Sequence, residues 1–110
     1  MKVLIHDERP DIPEFLLEII VNHGYKAGIA KDGLEIMHMI SDDRYDVVLT
    51  NGGYRNLNLD QYIRLKSSSV FIIGITDSHN QNQDSKADLY LRRPFLISDL
   101  WLSIEKQLYN

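Results

Sequence analysis

Five short apolar runs, most of them followed by a segment with helical spacing, constrain this chain more than any other feature. The runs lie at residues 3–5, 25–30, 46–50, 70–76 and 89–91. Between them Ile12, Phe15, Leu16, Ile19 and Ile20 recur at the three- and four-residue steps of one helix face, as do Leu34, Met37 and Ile40. The same steps return in Leu59, Tyr62 and Ile63, and again in Ile97, Leu100, Trp101, Ile104 and Leu108. Alternation of this kind predicts a parallel sheet with helices packed on both faces. The stretches VVLT and VFIIGIT are almost continuously apolar, as central strands covered on both sides must be.

Local signals punctuate the pattern. Asp11 with Glu14, and Asp32 with Glu35, have the spacing of a capping box, in which side chains satisfy the unpaired donors of a first helical turn. Gly24 suits the end of the first helix. One crossover breaks the rule: DSHNQNQDSKAD, residues 77–88, has Ala87 as its sole apolar residue. A helix there has no face to bury, so a loop or a single turn is expected where a fourth helix should stand.

The chain has 110 residues, enough for one domain with its own core, and no linker or low-complexity stretch divides it. The expected unit is a single domain over residues 1–110. Sixteen acidic against twelve basic residues give a formal charge of −4 without any basic stripe. Electrostatic binding to nucleic acid or to a membrane surface is therefore not expected. No run approaches the roughly 20 apolar residues of a membrane-spanning helix. The acidic turn after residue 5 is unlike a signal peptide. With no cysteine, thiolate chemistry and disulfides are excluded, and a cytoplasmic location is expected.

In an open parallel sheet, ligands bind beyond the carboxyl ends of the strands. That places His6, Asp7 and Glu8, then Asn51, Gly52 and Gly53, then Thr76 and Asp77, and finally Arg92, Arg93 and Pro94 around one edge. The ordered motifs LIHDERPDI, YDVVLTN, IIGITD and ADLYLRRPF resemble, over essentially the whole chain, the response-regulator receiver domain, the CheY-like family of two-component signalling. The resemblance implies a doubly wound, flavodoxin-like α/β fold, a five-stranded parallel sheet in the order 2-1-3-4-5. It also implies a site in which an acidic pair and a strand-end aspartate hold Mg²⁺ and that aspartate takes a phosphoryl group from a histidine kinase.

Much of that apparatus is altered here. The acidic pair falls on His6 and Asp7, with Glu8 a possible substitute, and the acceptor position falls on Asn51. The hydroxyl position is kept as Thr76, the lysine position holds Arg93, and the aromatic switch position, paired with Thr76, matches Tyr90. A neutral amide is a very poor phosphoryl acceptor. Mg²⁺ asks for hard, anionic oxygens at about 2.1 Å, so its binding is expected to be weak or absent and no other cofactor is expected. Arg93 would then pair with Asp7, which needs a counter-charge. The Arg93–Pro94 bond is a candidate for the cis form, by the resemblance and because proline makes cis inexpensive.

The resulting reading is an atypical receiver, a pseudo-receiver without enzymatic activity. It would work in signal transduction as a phosphorylation-independent protein–protein interaction module, as a monomer or weak homodimer. Tyr54 and Arg55, after Asn51, are residue types enriched at binding hot spots and are candidate partner contacts. The chain stops at Asn110 soon after its last helix, so output is expected to pass to another protein. Two alternatives stay open: a receiver still phosphorylated by a kinase or small phosphodonor, and a domain that senses a small anion or ligand through Thr76, Arg93 and the Gly52–Gly53 amides.

Overall fold

A computed structural model describes residues 1–7, 11–50, 70–76 and 87–108, with only the backbone at 76, 107 and 108. The elements are β1 (Lys2–His6), α1 (Asp11–Asn22), β2 (Lys26–Ile29), α2 (Gly33–Asp42), β3 (Val47–Thr50), β4 (Phe71–Thr76), β5 (Leu89–Arg92) and α3 (Ile97–Leu108). The strands form one parallel sheet in the order β2-β1-β3-β4-β5. This is the expected doubly wound arrangement. The helix expected around residues 59–63 and the loop expected over 77–86 lie outside the described residues.

Strand alternation sorts the core into two layers. Val3 and Ile5, Val47 and Leu49, and Ile73 and Ile75 face α1 and α3, where they meet Leu16, Ile20, Leu100 and Ile104. Leu4, Val48 and Ile72 face the other way, toward Ile36 and Ile40 of α2, with Tyr45 and Val70 completing that layer. Each fully buried aliphatic side chain is worth roughly 1.5–3 kcal/mol relative to exposure. Among the described residues no helix is long and apolar enough to cross a membrane.

Helix ends follow the local chemistry with one adjustment. The Asp32 carboxylate accepts from the Glu35 amide at 2.9 Å, capping α2 as the spacing predicts. Asp11 instead is the first residue of α1, where its charge faces the positive end of the helix dipole. Gly24, at φ 98°, closes α1: its amide bonds to Val21 and the Tyr25 amide to Ile20, the paired bonds of a Schellman turn. Two residues assigned to buried faces are exposed, Phe15 at 55% and Leu34 at 63%. Each is displaced by a neighbour one or two positions on, Leu16 and Ile36, which points more directly at the sheet.

Candidate functional site

The parallel register brings the expected residues to one edge. His6 pairs with Thr50 across β1 and β3, and Thr76 pairs with Arg92 across β4 and β5. Asp7 follows β1 and Arg93 follows β5, so both emerge on the carboxyl side of the sheet. They meet: Arg93 Nη2 and Asp7 Oδ2 form an ion pair, with the Asp7 side chain 0% and the Arg93 side chain 14% exposed.

Such a pair is costly to desolvate and is held together because breaking it would leave a buried charge unmatched. Burial draws the Arg93 guanidinium below its ordinary value. That value is so high that the group stays cationic near neutrality. Next to the pair, His6 is also buried, and its Nδ1 lies 3.4 Å from Thr50 Oγ1. Thr50 went unmarked in the sequence. Its place opposite His6, one residue before Asn51, was the available signal.

The turn after the site leads directly into α3. The Arg93–Pro94 peptide is cis. Beyond it, the Asp99 carboxylate accepts from the Leu96 amide at 3.1 Å, one half of a capping box that starts α3. Arg93 and Pro94 also line an open, mostly apolar cavity of about 450 Å³ with Ile12, Phe15, Leu16, Phe95 and Ile97.

Tyr90 lies away from this edge on the α2 side of the sheet. Its ring covers Gly74 of β4, and its hydroxyl accepts from the Ala87 amide at 3.2 Å. The start of β5 is pinned by Asp88, whose carboxylate accepts from the Ile72 amide while its own amide bonds to the Ile72 carbonyl, both at 2.8 Å. Among the described residues no group of three or more His, Asp or Glu side chains is placed to hold a metal. Glu8, Asn51, Tyr54 and Arg55 lie outside the described residues, as does the side chain of Thr76.

No family model matches the chain. The response regulator MprA of Mycobacterium avium is 28% identical in an alignment of 108 positions that takes in 91% of this chain and 47% of MprA. Among solved structures, the response regulator TrrA from Thermotoga maritima, in complex with Mg²⁺–BeF, is 27% identical. It matches with a TM-score of 0.83 over 96% of this chain and 97% of that one. In fold and in sequence the chain is similar to CheY-like receiver domains of response regulators. TrrA has also been solved in complex with the histidine kinase ThkA, and in that structure matches this chain with a TM-score of 0.84. The chain spans about half the length of the curated relatives it matches.

Proposed function

We propose that this receiver works in two-component signalling as a pseudo-receiver, a protein–protein interaction module that does not depend on phosphorylation and has no phosphoryl-transfer chemistry of its own. The observation that carries the reading is the buried Asp7–Arg93 ion pair. Asp7 is the one buried carboxylate among the described residues at the carboxyl ends of the strands. Its Oδ2 is turned to a guanidinium, so a cation could use that oxygen only by displacing Arg93. His6, a nitrogen donor, suits softer metals than Mg²⁺. The described residues therefore fit Mg²⁺ poorly.

Without the metal, the charge of a transferring phosphoryl group loses its main stabiliser. Asn51 at the acceptor position, by the resemblance, removes the nucleophile as well. An internal Asp7–Arg93 pair supplies a fixed arrangement in place of one made by phosphate. The same pair argues against an anion sensor, since Arg93 already faces a carboxylate. His6 is too buried to offer itself to a phosphodonor. The partner is a signalling protein; TrrA's complex with a histidine kinase makes a kinase, or a protein that competes for one, the first class to test.

Intact-mass spectrometry after incubation with acetyl phosphate and Mg²⁺ tests the reading, with Asn51→Asp run alongside. No phosphoryl mass gain is expected in the native protein. A gain there would overturn the proposal, and peptide mapping would then separate His6 from other acceptors. A gain confined to Asn51→Asp would mean that the acceptor substitution alone silenced the site.

A further inference from the structure

Glycine inside a strand gives up side-chain packing and costs backbone entropy, so its presence in β4 calls for a local reason. At Gly74 the reason is steric. A Cβ there would lie 2.9 Å from both Cδ1 and Cε1 of Tyr90 and 3.3 Å from the Ala87 Cβ. Gly74 and Tyr90 are direct partners in the β4–β5 register, so the ring folds straight across the glycine. It is held there from two sides. The Ala87 amide donates to its hydroxyl at 3.2 Å, and the Asp88 clamp on Ile72 fixes the strand that carries it.

The sequence explains why the sheet needs this cover. Residues 77–86, which join β4 to β5, contain no apolar side chain. The connection therefore brings no apolar side chain to this face. Ile72 and Val70 next to Gly74 are buried, with Ala87 packed beside them.

We propose that Gly74 is a dedicated seat for Tyr90, which fixes the ring in one position and makes it the cover of the β4–β5 face in place of an apolar helix. Tyr90 is then a static part of the surface and does not exchange between positions. The functional weight of this rests on the phosphate-independent reading: a partner meets one permanent β4–β5 surface.

A double-mutant cycle with Gly74→Ala, Tyr90→Ala and the pair tests it by thermal unfolding. With Tyr90 present, Gly74→Ala is expected to lower Tm by roughly 4–8 °C. In the Tyr90→Ala background it should leave Tm unchanged or raise it, since alanine restricts the unfolded chain. A rise with Tyr90 present, or an equal fall in both backgrounds, overturns the proposal. Tyr90→Phe, which keeps the ring and removes the hydroxyl, provides the second measurement. Amide hydrogen exchange at Ala87 should speed up about tenfold or more, the loss of roughly one hydrogen bond, while β3 amides keep their protection. Unchanged exchange at Ala87 overturns the pinned ring. Acetyl-phosphate labelling of the native protein would defeat the proposed function and leave this cycle untouched, so the two failures are distinguishable.

Discussion

The two ends of the sheet use aspartate in opposite ways. At the carboxyl end Asp7 is sealed from solvent and balanced by a partly buried guanidinium. At the amino end Asp46 and Asp88 reach sideways to a neighbouring strand, accepting from the Lys2 amide at 2.9 Å and from the Ile72 amide at 2.8 Å. Each also donates its own amide to the carbonyl of the residue it grips. These acids set register, whereas Asp7 stores charge. The difference teaches where stability and function separate: one end aligns strands with solvated, replaceable clamps, and the other holds an arrangement that tolerates no single loss.

Removing one member of the buried pair tests that contrast most severely. Arg93→Ala should cost about 3–5 kcal/mol, because it strands a buried carboxylate. Replacing both partners, as in Asp7→Leu with Arg93→Met, should recover most of the loss or better it by up to about 4 kcal/mol. Denaturant unfolding of both variants would measure this. Equal losses in the single and double variants would make the pair an ordinary surface contact.

Legibility in the sequence followed the same division. All five strands could be read because their apolar runs are short, dense and separated by turn residues. The Asp7–Arg93 pairing was also within reach, since a single acid among lost partners needs a counter-charge. The clamps at Asp46 and Asp88 were not legible: they depend on strand register between distant segments, which no local pattern encodes. Phe15 and Leu34 misled because each helix carries more apolar residues than its stripe against the sheet can bury. Nothing in the local sequence marks His23, yet its ring stacks on Trp101 at 3.9 Å and its Nε2 lies 3.1 Å from Glu105. That grouping exists only once α3 lies beside the end of α1.

The clamps should give smaller effects. Asp88→Ala is expected to cost about 1–2 kcal/mol, the loss of one bond to a partly solvated carboxylate. Amide exchange should report it as faster opening of β5 than of β3. A loss as large as that of Arg93→Ala would erase the distinction between the two ends. The smallest effect should come from Lys2–Asp43, an exposed ion pair at the same end whose ammonium also sits 4.8 Å over the Tyr45 ring. Asp43→Ala should cost about 0.2–1 kcal/mol and lose that effect at high salt. Unfolding at two ionic strengths would check it.

The placement of α3 sets an order of events during synthesis. Leu100 and Ile104 complete the layer that begins with Val3 and Ile5 near the start of the chain. A nascent chain that has produced every strand still holds one side of its sheet only partly covered. Until α3 leaves the ribosome, that side presents Ile73 and Ile75 to whatever is nearby. Chaperone engagement should therefore be greatest in the interval between completion of β5 and arrival of α3.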